Sequence, residues 1–128
     1  MSMLEGLATV AFVPSSDLTR SRVFYAGTLG LTFVNDDGFA LVFDVGGQTM
    51  RVVNAGEFSP QPFTILGWDV PDIVATIDDL TARGVEFLRY SFMEQDERGI
   101  WTAPGGVRVA WFADPDGNVL SLSTHAEP

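Results

Sequence analysis

The chain has 128 residues, of which 46% are apolar and 19% are charged, and its formal net charge is −10 at pH 7. This length and composition are typical of a globular domain with its own core, and they exclude an intrinsically disordered chain. Because so negative a surface repels phosphate groups, neither nucleic acid nor an anionic membrane surface is an expected partner.

The sequence contains no cysteine. Disulfides, thiolate metal sites and cysteine nucleophiles are therefore excluded, and a cytoplasmic location is expected. No apolar run approaches the roughly 20 residues that a membrane-spanning helix needs. Residues 1–5 also lack the basic start and the long apolar stretch of a signal peptide.

The first half of the chain contains one predicted helix among predicted strands. Asp17 is a favourable N-cap and Gly30 is favourable just after a helix end, so residues 18–29 are predicted to be helical. Gly46-Gly47 favours a hairpin turn. The predicted strands are 7–13, ending at Pro14, then 31–34, 39–45 and 48–54, and a linker is predicted at 55–61.

The second half has the same order of signals. Asp72 is a favourable N-cap and Gly84 a favourable end residue, so residues 73–83 form the second predicted helix. The predicted strands are 62–70, 85–88, 107–113 and 118–123. The segment 90–106 is predicted to be a long loop with a short strand at 100–102.

The two halves match as an internal repeat, since Asp17 and Asp72 lie about 55 residues apart. We predict a single domain over 1–128 with an α+β fold of two tandem βαβββ modules, about 6–55 and 62–124. A βαβββ unit covers one sheet face with its helix and leaves the other open. Two open faces are predicted to form a curved eight-stranded half-barrel around a cavity, which favours a small-molecule pocket.

A hairpin near the C-terminus carries the most specific signal, because Pro115, Asp116 and Gly117 suit a tight turn between apolar strands. Together with residues 17–31 and 70–85, this hairpin resembles the vicinal-oxygen-chelate family, which includes glyoxalase I, bleomycin-resistance proteins and extradiol dioxygenases. The resemblance implies the fold described above and a homodimer. The stretches that carry it are Asp114-Pro115-Asp116-Gly117-Asn118, Phe24-Tyr25 with Leu29-Gly30-Leu31, and Val70 through Asp72-Ile73 to Gly84-Val85.

The resemblance also implies four inward-facing positions that hold a divalent metal through histidine and glutamate in the family's enzymes. Three of them fall on Thr9, Ile65 and Ser121, and the fourth lies within 49–54, where Arg51 is the nearest polar candidate. None of these residues offers the imidazole or carboxylate that Zn²⁺, Ni²⁺, Mn²⁺ or Fe²⁺ requires. The lone histidine, His125, cannot make a site by itself, so neither a metal nor another cofactor is expected.

Other catalytic patterns are weak. The run from Asp114 to Asn118 imitates the start of a calcium loop, but Gly117 stands at the fourth place instead of the sixth, and His125 replaces the final glutamate. No serine lies in a Gly-x-Ser-x-Gly elbow, and no Gly-x-Gly-x-x-Gly follows a strand. The acidic residues of the long loop could supply a general acid or base, although a solvated loop face explains them more simply; they are Glu94, Asp96 and Glu97.

Most of the aromatic residues are expected in the core, including Trp68 and Trp111. Trp101 is the expected exception, because it lies in the long loop, which could fold over the cavity mouth. Arg51 and Arg108 lie within predicted strands, and whichever faces inward would need an anionic partner from the protein or a ligand. The predicted ligand-binding residues are Thr9, Arg51, Ile65, Trp101, Arg108 and Ser121, and no catalytic residue is assigned.

Three functions are compatible with these observations. The leading hypothesis is a metal-free protein, similar to bleomycin-resistance proteins, that binds a small planar or anionic molecule in the cavity. The second is a lyase, isomerase or dioxygenase with an unrecognised metal site, or a metal-free catalyst that uses Glu94, Asp96 or Arg51. The third is a non-catalytic interaction protein whose cavity is filled by its own side chains.

Overall fold

Each half of the chain builds its own four-stranded sheet in the computed structural model, which describes residues 2–125. The division falls between Phe58 and Ser59, and we call the two halves unit 1 and unit 2. The strand orders are β1-β4-β3-β2 and β5-β8-β7-β6, so the two open sheets have the same topology. The predicted α+β class and the tandem repeat of one helix with one sheet are confirmed.

In unit 1 the elements are β1 Val10–Ser15, α1 Leu18–Arg22, a π-helical segment Val23–Thr28, β2 Thr32–Asp36, β3 Ala40–Val45 and β4 Gln48–Asn54. Strand β1 begins later than predicted and runs through Pro14, which was expected to end it. Because β1 is an edge strand that pairs with β4 alone, Pro14 can lack a ladder hydrogen bond on its outer side.

In unit 2 the elements are β5 Thr64–Asp69, α2 Ile73–Ala82, β6 Trp101–Thr102, β7 Arg108–Ala113 and β8 Val119–Thr124. The short strand predicted around 100–102 is confirmed as β6. The prediction of a strand at 85–88 is wrong, because only Phe87 pairs there, in one isolated bridge with Phe112. The edge position along β7 is instead shared by Phe87 and β6, and residues 88–100 leave the sheet between them.

The two helices begin in the same way, as predicted. The Asp17 carboxylate accepts a hydrogen bond from the Arg20 amide, and the Asp72 carboxylate accepts one from the Ala75 amide. These contacts satisfy amide groups that the first helical turn leaves without intrahelical partners. None of the described helices is long and apolar enough to cross a membrane.

Residues alternate between two faces along every strand, and in each unit one face is packed against the helix. In unit 1 the buried Tyr25 ring of the helical segment contacts Phe43 of β3, with 6.2 Å between ring centroids. In unit 2 the helix buries Ile73 and Ile77, and the sheet buries Ala110, Phe112, Leu120 and Leu122. We call the opposite side of each sheet its open face.

Candidate ligand-binding site

The open face of unit 2 brings together a glycine, a serine and an indole from three adjacent strands. Gly67 of β5 lies opposite Ser121 of β8, and Ser121 lies opposite Trp111 of β7. Gly67 is exposed, whereas Ser121 and Trp111 are half-buried. Cross-strand neighbours of this kind point to the same side of a sheet. Across these three strands the open face therefore changes from a residue without a side chain to a large flat ring.

Two further aromatic rings surround Trp111, and we call Tyr90, Trp101 and Trp111 the aromatic face. The Trp111 centroid lies 6.3 Å from that of Trp101 and 5.6 Å from that of Tyr90, the latter in an edge-on arrangement at 85°. The Trp111 indole Nε1 also donates a hydrogen bond of 3.1 Å to Thr64 Oγ1. Trp111 is therefore held in one orientation before any ligand arrives.

The third tryptophan belongs to the core, as expected for most of the aromatic residues. Trp68 lies opposite Leu122, and its ring stacks on the buried Phe112 with 6.3 Å between centroids and 21° between planes. Trp111 was also expected in the core, but its position opposite Ser121 places it on the open face. The alternation of residues along β7 explains the difference, because Phe112 takes the core side and its neighbour Trp111 must take the other.

A groove of about 420 Å³ adjoins Trp101. Its volume lies in the range of pockets that hold small molecules, and two of its lining residues are acidic. The lining residues are Glu94, Gln95, Asp96, Ile100, Trp101 and Thr102. The Asp96 carboxylate accepts hydrogen bonds of 2.9 Å from the Arg98 and Ile100 amides, so it holds the loop in addition to lining the groove.

Gln95 fixes the segment 88–100 against the sheet. Its side-chain Oε1 accepts a hydrogen bond of 2.7 Å from the Tyr90 amide, and its Nε2 donates to the carbonyl groups of Leu88 and Gly99 at 3.0 and 2.8 Å. These three contacts join both ends of the segment. Because Tyr90 lies within that segment and Trp101 directly follows it, Gln95 orders backbone next to two rings that contact Trp111.

An ion pair ties the same segment to helix α2. The Arg98 guanidinium donates to both carboxylate oxygens of Asp78, at 2.9 and 3.2 Å. This contact lowers the pKa of Asp78 below its ordinary value. A second arginine, Arg89, donates to the carbonyl oxygen of Glu97 at 2.7 Å. Both cations of this segment are therefore engaged by the protein.

The position of Ser121 depends on the absence of a side chain at residue 67. A Cβ atom built on Gly67 would lie 2.5 Å from Ser121 Oγ, which is closer than two such atoms can approach. Ser121 could be predicted as a ligand-binding residue from the sequence, but Gly67 could not. Nothing local could have revealed it, because the contact depends on how β5 and β8 are aligned.

Arg51 lies on the open face of unit 1, opposite Phe12 of β1 and Val42 of β3. Its guanidinium contacts the Asp37 carboxylate at 2.7 Å. Hydrogen bonding from Arg51, followed by that from the Phe39 and Ala40 amides, holds the pKa of Asp37 below its ordinary value of 3.8. The anionic partner expected for an inward-facing arginine is thus a carboxylate of the protein itself.

The other predicted ligand-binding residues are not members of the aromatic face. Thr9 precedes β1, is exposed and donates a hydrogen bond of 3.1 Å to Gln48 Oε1. Ile65 is half-buried at an irregularity in the pairing of β5 with β8. Arg108 lies opposite Thr124, on the side of the sheet that carries the buried Ala110 and Phe112. Of the six predicted residues, Trp101 and Ser121 lie on the open face of unit 2, and Trp111 neighbours both of them. The ligand-binding role of all six residues stays a prediction.

The side chains at the four positions implied by the family resemblance do not suit a transition metal. The family-implied positions carry hydroxyl, alkyl and guanidinium groups in Thr9, Ser121, Ile65 and Arg51, and none of these matches the ligand preference of such ions. Within residues 2–125, no three His, Cys, Asp or Glu side chains are grouped where they could hold a metal ion. We therefore derive no chemistry through a metal.

The hairpin tip that imitates a calcium loop is closed by its own hydrogen bonds. The buried Asp114 accepts from the amides of Asp116 and Asn118 at 3.0 and 2.9 Å, and its other oxygen accepts from the Asn118 side chain at 2.8 Å. This pattern is that of an aspartate-stabilised turn. The tip therefore stabilises the β7–β8 hairpin, as the sequence predicted.

Comparisons with known proteins agree with this architecture. A sequence profile of the Glyoxalase/Bleomycin resistance protein/Dioxygenase superfamily matches residues 6–122. None of the curated proteins matches the chain. A solved member of that superfamily from Sphaerobacter thermophilus DSM 20745 is 25% identical, with a TM-score of 0.75 over 96% of this chain and 100% of its own.

Two further solved structures share the fold at lower identity. A glyoxalase/bleomycin resistance protein/dioxygenase from Nocardioides is 18% identical, with a TM-score of 0.74 over 98% of this chain and 87% of its own. A lactoylglutathione lyase from Agrobacterium tumefaciens is 18% identical, with a TM-score of 0.67 over 93% of each chain. At this identity the likeness shows the fold alone.

Proposed function

Since the chain belongs to the glyoxalase/bleomycin resistance protein/dioxygenase superfamily, we propose that it is a metal-free member that binds a small planar molecule on the aromatic face of unit 2. The observation that carries this proposal is the fixed, half-buried Trp111 ring, which has Trp101 and Tyr90 against it. Flat rings stack on such a surface, and each good aromatic contact contributes about 0.5–1.5 kcal/mol.

Preorganisation supports binding at this face. The hydrogen bond to Thr64 orients the Trp111 ring, and the Gln95 contacts order the backbone of residues 88–99, which includes Tyr90. Ligand binding therefore loses less conformational entropy at these residues. The groove beside Trp101 adds about 420 Å³ of space at the edge of the same surface.

The charges around the aromatic face favour a neutral or cationic ring over an anionic one. Glu94 and Asp96 line the groove, and the arginines of the same segment are engaged, Arg98 by Asp78 and Arg89 by a backbone carbonyl. A cation would gain from the π faces of the indoles as well as from the carboxylates. An anionic ligand would meet uncompensated negative charge on a chain of net charge −10.

Three naphthalene probes of the same size test the proposal: neutral 2-naphthol, anionic 2-naphthoate and cationic 2-(aminomethyl)naphthalene. Calorimetric titrations should rank them with 2-naphthoate weakest. Trp101→Ala should weaken 2-naphthol binding about tenfold, which corresponds to the loss of one stacking contact of about 1.4 kcal/mol. Phe39→Ala is the matched control, because Phe39 is an aromatic residue of unit 1 that is 79% exposed.

Two results would refute the proposal. One is an affinity for 2-naphthol that is the same in Trp101→Ala as in the unchanged protein. The other is 2-naphthoate as the tightest probe, since that order would place the ligand beside an arginine instead of the acidic groove.

A further inference from the structure

The open face of unit 2 contains a hydroxyl group in an unusual setting. Ser121 lies between Gly67 of β5, which has no side chain, and Trp111 of β7, whose indole reaches across β8 to Thr64 of β5. Within residues 2–125 no hydrogen bond involves the Ser121 side chain, which is half-buried. A ring that lies flat against Trp111 and over Gly67 would therefore place its edge at this hydroxyl.

We infer that Ser121 and Gly67 together select the ligand, and that the ligand class is an aromatic ring with a hydroxyl, amino or ring-nitrogen group on its edge. This inference rests on the proposed function, because it concerns the same aromatic face. Ser121 supplies a hydroxyl that can donate or accept a hydrogen bond. The absence of a side chain at Gly67 leaves the space into which that hydroxyl extends.

The selection follows from what an apolar ring would leave behind. Such a ring stacks on Trp111 equally well, but it covers the Ser121 hydroxyl and removes it from water without replacing its hydrogen bond. Leaving a covered polar group unpaired is costly, whereas a ring with a polar edge restores the bond. Sites of this kind discriminate between rings of the same shape by their polar groups.

Gly67 controls the same discrimination through the position of the hydroxyl. A Cβ atom at residue 67 would lie 2.5 Å from Ser121 Oγ but 3.8 Å from Ser121 Cβ. Only the end of the serine side chain must move, and rotation about its χ1 angle can turn it away. The variant Gly67→Ala should therefore fold, but its Cβ atom would displace the Ser121 hydroxyl from its present place.

The test compares 2-naphthol with 2-methylnaphthalene, which has the same shape but lacks a hydrogen-bonding group. Affinities are measured for the unchanged protein and for Ser121→Ala, Gly67→Ala and Ser123→Ala. Ser123 is the control, because it lies two residues further along β8 on the same face but opposite Asp69 and Val109. Circular dichroism and urea unfolding establish that each variant folds.

We expect the unchanged protein to bind 2-naphthol about fivefold to tenfold more tightly than 2-methylnaphthalene, which is the effect of one hydrogen bond. Ser121→Ala should abolish that preference and leave 2-methylnaphthalene binding intact. Gly67→Ala should abolish it and also weaken both probes, and Ser123→Ala should keep it.

Equal affinity for both probes in the unchanged protein, or a preference that survives in Ser121→Ala, would overturn the selection by Ser121 and leave stacking on the aromatic face in place. Failure of both probes to bind the unchanged protein would overturn the proposed function together with this inference.

Discussion

Arg51 lies on an open sheet face with its charge already matched by Asp37. The guanidinium and the carboxylate are 2.7 Å apart, and the two side chains are 27% and 32% exposed. Because both groups remain in contact with water, the pair is screened and its contribution to stability is modest. The contribution of the pair nevertheless depends on pH, because the pKa of Asp37 is lowered in the folded chain.

The Asp37–Arg51 pair should give the free energy of unfolding a defined pH dependence. Asp37 has a lower pKa when folded than its ordinary value of 3.8, so the charged form stabilises the fold above that pH. The contribution is lost as pH falls through the lowered folded value. Asp37→Asn should therefore be less stable than the unchanged protein at about pH 6.5, and the difference should narrow below pH 3.8.

Urea unfolding at several pH values checks this prediction. Asp44→Asn is a suitable control, because the Asp44 carboxylate caps the Gly47 amide in the next hairpin and leaves the Asp37–Arg51 pair in place. A stability difference for Asp37→Asn that stays constant down to pH 3 would contradict the assignment of the titration to this pair.

The helix caps could be predicted from the sequence, whereas the Gly67–Ser121 contact could not. Asp17 and Asp72 each accept a hydrogen bond from an amide three residues ahead, so the signal lies within one turn of chain. Gly67 and Ser121 meet only because β5 and β8 pair in one register. Alternation alone does not fix that register, least of all next to an irregularity such as the one at Ile65.

The first helix shows a similar limit at the scale of elements. The helix predicted at 18–29 ends within one residue of the observed helical segment, but residues 23–28 are π-helical. The Leu29 amide donates to the Phe24 carbonyl at 2.8 Å, five residues back. Such a turn holds one extra residue, and it occurs where the buried Tyr25 contacts Phe43. The apolar spacing of one turn is too short a signal to reveal it.

The edge strand beside β7 is the element in which the two units differ most. In unit 1, β2 is continuous apart from a bulge at Val34. In unit 2, Phe87 and β6 occupy the two ends of that position, and the acidic segment 88–100 lies between them. The Phe33–Phe43 and Phe87–Phe112 ring pairs, at 5.6 and 5.4 Å, mark the equivalent point in both units. The groove at Trp101 arises from this insertion.

Gln95 should control the order of that segment. Gln95→Ala removes three hydrogen bonds to the Tyr90 amide and to the Leu88 and Gly99 carbonyl groups. We expect a loss of about 1–3 kcal/mol, because these partly buried backbone groups lose their partners. Hydrogen exchange at the Tyr90 amide should accelerate, and 2-naphthol binding should weaken as Tyr90 and Trp101 separate.

The variant Gln95→Glu separates the contacts, since its carboxylate can still accept from the Tyr90 amide but can no longer donate to the two carbonyl groups. Glu97→Ala, on the same segment, is the control for side-chain truncation, because the Arg89 hydrogen bond goes to the Glu97 backbone carbonyl and its carboxylate has only a 3.8 Å contact with Arg98. Exchange at Tyr90 that is unchanged in Gln95→Ala would show that the sheet and the Asp78–Arg98 pair suffice to hold the segment.

For the whole molecule, the repeat was the most predictable property and the ligand the least. Two helices with matching caps and two sheets with the same strand order follow from patterns about 55 residues apart. The homodimer implied by the family resemblance stays a prediction. Ligand identity depends on the insertion and on strand register, which composition and periodicity do not encode.

The central claim is that unit 2 binds flat rings on its aromatic face without a metal. An amide NMR titration with 2-naphthol, on protein purified without chelator and then measured with and without EDTA, tests it most directly. We predict that the largest shifts occur at Gly67, Ser121 and the Nε1 signals of Trp101 and Trp111, with the same dissociation constant in both conditions. Shifts that are confined to other residues, or binding that disappears with EDTA and returns with added metal, would contradict the claim.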